Sequence, residues 1–437
     1  MGLSALLLAQ VLAFPGADGL GRYTVGGRGG QVLIVDSLKD DASPGTLRWA
    51  IEQAGPRIVV FSVSGVIDLK KPLVISQGQL TLAGQSSPGG IVLKGAETRV
   101  EADQVIIRYL RFRLGRVKDD WDAINGRQHS DIIIDHCSMS WSIDETASFY
   151  NNRRFTLQYS LIAQSLDHAG HSKGEHGYGG IWGGRGASFH HNLLANHQSR
   201  LPRFNGWRLG PNYPQGEELV DFRNNVIFNW GEHGSYGNEQ GKVNIIGNSY
   251  LPGPASQNRA IFELWGADKA GDLFLAGNLM AGKASASLTA WPRLNEEDMA
   301  TLAAKHQKTK AFSYPAMPLM LASQSAAESY QLLVQKGEVG ANRNAHGYFR
   351  DSVDSAVLAE VQSGQGRLID SELQAIGSWA AYGREFKQQP VIDANHNGMA
   401  DDWERRHGVS DPNGHGLSGD YSNIESYLND LGQFTAP

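Results

Sequence analysis

Residues 220–231 read VDFRNNVIFNWG, which is a short apolar segment, a polar corner and a second short apolar segment. The same pattern recurs at residues 132–140 as IIIDHCSMS. Each apolar segment has the length of a β-strand, and the polar residues between them suit a sharp bend. The pattern therefore predicts pairs of short strands that are joined by a tight corner.

The first apolar segment of this pair repeats along the chain in steps of roughly 23 to 33 residues, which is the range expected of solenoids. One such unit cannot bury its apolar face alone, whereas stacked units form parallel sheets around a continuous core. We therefore predict an all-β fold, a parallel β-helix. A β-sandwich is the alternative, but the Asn-Gly hairpin turns that it would need are scarce. The repeated segments begin at Leu80, Val105, Ile132, Phe155, Ala187, Val220, Val243 and Leu273.

Asparagines fall at equivalent corners of four repeats, where their side chains are expected to hydrogen-bond from coil to coil. These are Asn192, Asn225, Asn248 and Asn278.

After about residue 290 the pattern changes from strands to helices. Residues 295–305, 325–335 and 351–361 have helical periodicity, and Ser325 with Glu328 has the spacing of a capping box. We expect short helices and loops that pack on the outside of the solenoid.

The composition limits the possible functions. The net charge is −6 and the pI is about 6.2, which argues against generic nucleic-acid binding. Cys137 is the only cysteine, so no intramolecular disulfide can form. No segment approaches the length of a membrane span. We also expect the protein to be a monomer. The apolar residues 1–12 are interpreted as the remnant of a signal peptide, which predicts a secreted protein, either extracellular or periplasmic.

Residues 393–404, DANHNGMADDWE, match the calcium-loop pattern D-x-[DN]-x-[DN]-G-x5-E at every specified position. All the donors are oxygens, which favours Ca2+. We therefore divide the chain into the signal remnant, a solenoid domain at residues 13–390 and a calcium-binding tail at residues 391–437. The predicted ligands of the tail are Asp393, Asn395, Asn397, the backbone of Met399, Asp401 and Glu404.

Acidic residues also cluster in the solenoid, at Asp120 and Asp122 before one strand and at Asp144 and Glu145 one coil later. Carboxylates on stacked coils repel unless a cation neutralises them or one of them is protonated. This leaves two interpretations, a calcium site or a carboxylate pair for glycoside hydrolysis. Arg200 favours chemistry on an acidic sugar, because a cation and a guanidinium can together hold a uronate carboxylate.

Several segments together resemble the pectate lyase family, whose fold is a right-handed parallel β-helix. With the weaker matches at residues 13–30 and 350–370, the resemblance covers most of residues 13–380. The matching segments are residues 122–124 (DAI), 132–145 (IIIDHCSMSWSIDE), 176–184 (HGYGGIWGG), 189–204 (FHHNLLANHQSRLPRF) and 220–231.

The resemblance implies calcium-assisted β-elimination on polygalacturonate (pectate) or a related uronate polysaccharide. Asp122 and Asp144 fall on calcium-ligand positions, and Asp120 is a possible further ligand. Arg200 falls on the arginine proposed as the base, and Arg203 on a neighbouring substrate-binding arginine.

The chain departs from the family at two positions. Ser148 stands where a further acidic ligand is common, so Glu145 is expected to complete the metal site. Tyr178 stands near the position of a substrate-binding lysine, and Lys173 and His176 in the preceding loop are expected to bind substrate with it.

Two other functions stay open at this point. One is a glycoside hydrolase on the same fold. The other is a non-catalytic carbohydrate-binding solenoid, in which the faces of Trp121, Trp141, Trp182 and Trp207 stack on sugar rings.

Overall fold

In the computed structural model, which describes residues 10–266, 268–314 and 324–433, the chain winds into a right-handed parallel β-helix of about ten coils. A full coil contributes one strand to each of three parallel ladders. The predicted solenoid is thus confirmed. Residues 1–9 of the predicted signal remnant lie outside the described residues.

The first ladder contains the strands that the sequence repeat identified. Its members are β1 (Gln31–Val35), β2 (Arg57–Phe61), β5 (Leu80–Ala83), β8 (Val105–Arg108), β11 (Ser130–Asp135), β13 (Ala147–Gln158), β15 (Ile181–His190), β18 (Leu219–Arg223), β21 (Lys242–Ile246) and β24 (Asp272–Ala276).

The second ladder follows the corner, and a short antiparallel strand, β26 (Lys283–Ala284), ends it. Its parallel members are β3 (Gly65–Asp68), β6 (Ile91–Lys94), β9 (Arg111–Arg113), β12 (Ser138–Ser140), β14 (Leu161–Ala163), β16 (Leu193–His197), β19 (Val226–Trp230), β22 (Ser249–Leu251) and β25 (Leu279–Met280).

The third ladder completes each coil, and the long strands β13 and β15 run from it into the first ladder. Its other members are β4 (Leu73–Ile75), β7 (Thr98–Val100), β10 (Ile124–Arg127), β17 (Arg203–Phe204), β20 (Tyr236–Gly237), β23 (Phe262–Trp265) and β27 (Leu288–Trp291).

The asparagine corners stack as expected. The backbone N–H and the side-chain amide of Asn192 both donate to Asn225 Oδ1, at 2.9 and 3.1 Å. Asn225 donates to Asn248 in the same way, and Asn248 to Asn278. All four side chains are buried. Each therefore satisfies polar groups of the bend that would otherwise be buried without partners.

The residue before this corner adopts the left-handed backbone conformation in successive coils. At Tyr109, His136, Tyr159 and His191 the φ angles lie between 47° and 55°. Their rings stack from coil to coil, with centroid separations of 5.0, 4.9 and 4.8 Å. Non-glycine residues rarely adopt this conformation, so the stacked rings support a bend that the backbone alone disfavours.

Apolar side chains from each coil fill the interior. In the first ladder, the strand register aligns buried apolar residues in one column, because each residue of the column pairs with a residue of the next coil. The column runs through Ile107, Ile134, Leu157, Phe189, Phe222, Ile245 and Leu275.

The peripheral elements agree with the predicted helices at residues 295–305, 325–335 and 351–361, and the capping box at Ser325 and Glu328 is present. None of the described helices is long and apolar enough to cross a membrane. The α-helices are α1 (Leu47–Glu52), α2 (Glu296–His306), α3 (Ala326–Tyr330), α4 (Ser352–Ser363), α5 (Leu373–Ile376), α6 (Trp379–Arg384), α7 (Asp401–His407) and α8 (Asn423–Leu431). Helix α3 continues into a π-helical turn (Gln331–Gln335). The other elements are a 3-10 turn (Gly84–Ser86) and an antiparallel hairpin of β28 (Arg343–Asn344) and β29 (Gly347–Tyr348).

The C-terminal segment packs on the outside of the first ladder. Trp403 and Ile424 belong to one buried apolar cluster with Ile58 and Val60 of β2. Arg28 Nε also pairs with Glu425 Oε1 at 2.7 Å. The predicted calcium loop is therefore held against the solenoid.

We expect Asn225→Ala to destabilise the protein by about 2–4 kcal/mol, because the N–H and amide groups of Asn192 lose their acceptor inside the core. Thermal unfolding followed by circular dichroism measures the loss. Gln257→Ala, at an exposed amide, is the control and should melt like the wild type. Equal melting temperatures for both variants would show that the asparagine stack adds no stability.

Candidate functional site

The predicted site residues come together at the edge of the third ladder because consecutive coils stay in register. The Glu145 N–H donates to Asp122 Oδ1 at 3.0 Å. Glu145 forms a parallel bridge with Tyr178 of the next coil, and Tyr178 forms one with Ser199. Arg200 follows Ser199 in the chain. Four coils thus place an acidic pair, a tyrosine and an arginine side by side.

Three carboxylates form the centre of the site. Asp122, Asp144 and Glu145 each offer an oxygen, and these oxygens lie within 4.8 Å of one another. Burial, together with the nearby charge of Asp144, raises the pKa of Asp122 well above its ordinary value. Carboxylate oxygens are the ligands that Ca2+ prefers, and a cation would relieve the repulsion that raises this pKa. The donor set therefore fits the predicted metal.

Asp144 keeps its charge in the same cluster for a local reason. Burial alone would raise its pKa, but the hydrogen bond with His176 and the nearby positive charges, including that of Arg200, outweigh it, so the pKa lies below the ordinary value. His176 Nε2 lies 2.6 Å from Asp144 Oδ1. The pKa values of the two aspartates are therefore shifted in opposite directions, because only Asp144 has a strong partner.

Arg200 lies against this cluster. Its guanidinium pairs with Glu145 and lies 4.3 Å from the centroid of the Tyr178 ring. Its backbone is left-handed, with φ at 63°, and its side chain is 21% exposed. The arginine therefore reaches solvent at the edge of the site while Tyr178 covers one of its faces.

Two histidines form the wall behind Asp144. The rings of His171 and His176 stack face to face, with centroids 3.7 Å apart. The Lys173 N–H donates to His171 Nδ1 at 3.0 Å, so a neutral His171 carries its proton on Nε2. That Nε2 lies 3.7 Å from both Asp120 Oδ2 and Asp144 Oδ2. His176 contacts the carboxylate cluster, and its predicted contact with substrate stays a prediction.

The other predicted residues lie around the rim. Asp120 accepts hydrogen bonds from the N–H and hydroxyl of Ser172 and is outside the three-carboxylate group. Lys173 is exposed in the same loop. Arg203 is buried, and its guanidinium pairs with Glu239.

The structure adds groove residues that sequence reasoning missed. The carboxylates open into a cavity of about 310 Å3, and Arg127 donates to the Tyr150 hydroxyl at 2.8 Å on its wall. Asn125 and Arg127 lie on the short strand β10, Tyr150 and Ile181 lie in the third-ladder parts of β13 and β15, and Glu97 precedes β7, so they share no apolar pattern that the sequence would reveal. The missed lining residues are Glu97, Asn125, Arg127, Tyr150 and Ile181.

The predicted sugar-stacking tryptophans divide into two groups. Trp141 and Trp182 are completely buried in the protein interior, so the expectation that their faces contact sugar is wrong. Trp121 is half-buried and lines the groove. Trp207 is half-buried on the loop that follows β17.

In the C-terminal loop, several predicted calcium ligands converge. The two Asp393 carboxylate oxygens accept from the N–H groups of Asn397 and Gly398, at 3.1 and 2.8 Å. The amides of Asn395 and Asn397 donate to Glu404. Gly398 has a φ of 88°, which the sharp turn requires. The turn geometry agrees with the motif, and calcium binding by this loop stays a prediction.

Comparison with known proteins gives close relatives over nearly the whole chain. The chain is 34% identical to a protein of Aspergillus terreus named "Probable pectate lyase C" over 449 aligned positions, covering 97% of this chain and 95% of the relative. It is 33% identical to the protein of that name in Aspergillus flavus, covering 93% and 89% of the two chains. No family model matches the chain.

Solved structures share the fold at much lower identity. Jun a 1, the major allergen from cedar pollen, superposes with a TM-score of 0.52 and 18% identity, covering 74% of this chain and 92% of that one. An arginine-to-lysine mutant of the Bacillus subtilis pectate lyase gives a TM-score of 0.50 and 15% identity, covering 74% and 96%. These likenesses support the β-helix itself.

We expect Asp122→Asn to stabilise the protein by about 1 kcal/mol in the presence of a chelator at neutral pH. The pKa of Asp122 is raised by folding, so its ionisation weakens the folded state as pH rises through that pKa. Asparagine removes this charge and keeps an oxygen for the Glu145 N–H. Melting temperatures between pH 4 and 8 should show an advantage for the variant that grows with pH. A variant that is less stable than the wild type across this pH range would contradict the inference that burial beside Asp144 makes a charged Asp122 unfavourable.

Proposed function

Because the chain belongs to the pectate lyase family, and is therefore a polysaccharide lyase, we propose that it cleaves polygalacturonate, or a closely related uronate polymer, by calcium-assisted β-elimination. The observation that carries this proposal is the cluster of Asp122, Asp144 and Glu145 oxygens beside the guanidinium of Arg200.

In the proposed reaction, Arg200 takes the proton from C5 of the uronate residue. The electron pair of the C5–H bond forms the C4–C5 double bond, and the bond from C4 to the glycosidic oxygen breaks. The oxygen leaves with the bonding electron pair and takes a proton from water to become the hydroxyl of a new chain end, and the other product is a 4,5-unsaturated uronide. A bound calcium ion would draw electron density from the substrate carboxylate and make the C5 proton more acidic.

Arginine is an unusual base, because its reference pKa is about 12.5 or higher. The position of Arg200 supports the role because a cation held by Asp122 and Asp144 would disfavour a second positive charge nearby. Activity is therefore expected to rise toward alkaline pH.

Glu145 has two possible partners in this arrangement. It is a candidate metal ligand, and it is also the ion-pair partner of Arg200. Its engagement with a cation would weaken its hold on the guanidinium. We propose that this competition frees Arg200 to face the substrate.

We propose that Arg203, Lys173 and Tyr178 contact the substrate around the scissile bond. A uronate would compete with Glu239 for the guanidinium of Arg203. His176 is proposed to hold Asp144 in the orientation that a metal ligand needs, in addition to any contact with sugar.

We propose secretion as a monomer, with a second, structural calcium ion in the C-terminal loop. The apolar residues 1–12 support export. The packing of Trp403 and Ile424 on β2 supports a structural role for the loop, since an ordered loop fixes the helices that cover this face. Because the chain belongs to the pectate lyase family, we do not propose either alternative from the sequence, a glycoside hydrolase or a non-catalytic carbohydrate-binding solenoid.

Arg200→Ala should reduce the kcat on polygalacturonate by at least about a hundredfold, because the proton acceptor is lost. The ultraviolet absorbance of unsaturated uronide, recorded with calcium present, follows the reaction. Arg367→Ala removes an exposed arginine away from the groove and should leave the rate unchanged. Full activity of Arg200→Ala would overturn its assignment as the base, and a wild-type protein that releases no unsaturated uronide would overturn the proposed function.

Calcium titration by calorimetry should give two ions per chain. Asp122→Asn and Glu404→Gln should each remove one of them, because they alter carboxylates of different candidate sites. Glu404→Gln should also lower the melting temperature in calcium, whereas Asp122→Asn should abolish the calcium-dependent lyase activity. A stoichiometry of one that only Glu404→Gln abolishes would show that the solenoid cluster binds no metal without substrate.

A further inference from the structure

Two tryptophans extend the exposed face of the third ladder beyond the groove. Trp265 of β23 pairs in register with Trp291 of β27, and their rings lie 6.0 Å apart with an angle of 23° between their planes. Trp291 is 45% exposed, and Trp265 is half-buried. We call this pair the aromatic platform.

The platform is held in place by its surroundings. Trp265 Nε1 donates to Glu263 Oε1 at 2.8 Å, and the Arg203 guanidinium lies 4.8 Å from the Trp265 ring. The ring of His233 meets both indoles edge-on, at 5.6 and 5.7 Å. Side chains fixed in this way lose little conformational entropy when a ligand binds.

The platform is not simply a cap on the end of the core. Helix α2 begins at Glu296, five residues after Trp291, and contacts β27. It nevertheless leaves nearly half of the Trp291 surface open to solvent. A residue whose task is to close the core would be expected to be covered.

The platform continues the line of the catalytic groove. The groove is lined by outward residues of β10, β13 and β15, namely Asn125, Ser148 and Ile181, so it runs along the axis of the solenoid. The next two strands of the ladder, β17 and β20, lie between these residues and β23. With a spacing of about 4.8 Å between strands, Trp265 lies roughly 10 Å and Trp291 roughly 14 Å beyond Arg203.

We infer that the aromatic platform is a saccharide subsite, on which a pyranose ring of a polymer that extends from the groove stacks against Trp291 and Trp265. The identity of that polymer rests on the proposed function. A pyranose ring has an apolar face of C–H groups that packs on an indole. Beside the rings, Arg203 pairs with Glu239 and His233 with Glu263. Arg203 is assigned to the sugar at the scissile bond, so ring contact is the main source of affinity for the sugar on Trp291.

Trp291→Ala tests the subsite. The KM for polygalacturonate should rise roughly five- to tenfold with little change in kcat, because the indole contacts the chain away from the scissile bond. The KM for trigalacturonate, which has at most two rings beyond the scissile bond and so does not extend as far as Trp291, should not change. Trp291→Phe should recover most of the affinity and Trp291→Leu should not, which separates stacking from packing. Tyr348→Ala is the control, since Tyr348 is another exposed aromatic residue, 49% exposed, on a peripheral hairpin.

Binding to polygalacturonate under chelator, followed by calorimetry, separates this inference from the proposed function. Weaker binding by folded Trp291→Ala supports the subsite even if the wild type does not cleave the polymer. Equal binding and equal KM for the wild type, Trp291→Ala and Trp265→Ala would overturn it. A wild-type protein that binds no polygalacturonate either under chelator or with calcium would overturn it too.

Discussion

Coil-to-coil register is the constraint on which the rest of this structure depends. Parallel pairing in three ladders fixes each residue directly above its counterpart in the previous coil, and the buried asparagine stack from Asn192 to Asn278 fixes the bend in four successive coils. A register shift of one residue in a strand of the first ladder would turn its member of the buried apolar column from the core to the surface. The same register sets Asp122, Glu145 and Tyr178 in one line, although they are far apart in the sequence.

Electrostatic crowding is the consequence of this alignment at the site. Carboxylates on adjacent coils cannot move apart without breaking the ladder, so burial and the charge of Asp144 together raise the pKa of Asp122. Asp144 avoids that cost through His176, and Glu145 forms an ion pair with Arg200. The site is thus arranged so that each carboxylate finds positive charge or a hydrogen-bond donor, and a cation would satisfy the three together.

The sequence predicted the first and second ladders well, because their strands are apolar and flank a recognisable corner such as residues 223–225. It predicted the third ladder poorly. Strands such as β17 and β20 are two residues long, and their outward side chains follow no periodic pattern. The acidic cluster and Arg200 were identified from motifs, whereas Arg127 and Trp291 emerged only from register.

Sequence reasoning could not assign partners within the site. His176 was predicted to contact substrate, and the structure also places it against Asp144, a contact that no local motif indicates. Trp141 and Trp182 were expected to stack on sugars, yet both lie inside the core. Whether a side chain faces the interior or the solvent depends on the ladder and register position of its residue, and the local sequence does not reveal that position.

A crystal structure of the calcium-loaded Arg200→Ala protein with an oligogalacturonate would test the account most directly. Anomalous scattering would locate the metal. The account predicts a calcium ion bound by Asp122, Asp144 and the uronate carboxylate, with C5 of that sugar facing position 200. A sugar bound with C5 turned away from position 200, or a calcium ion found only in the C-terminal loop, would contradict it.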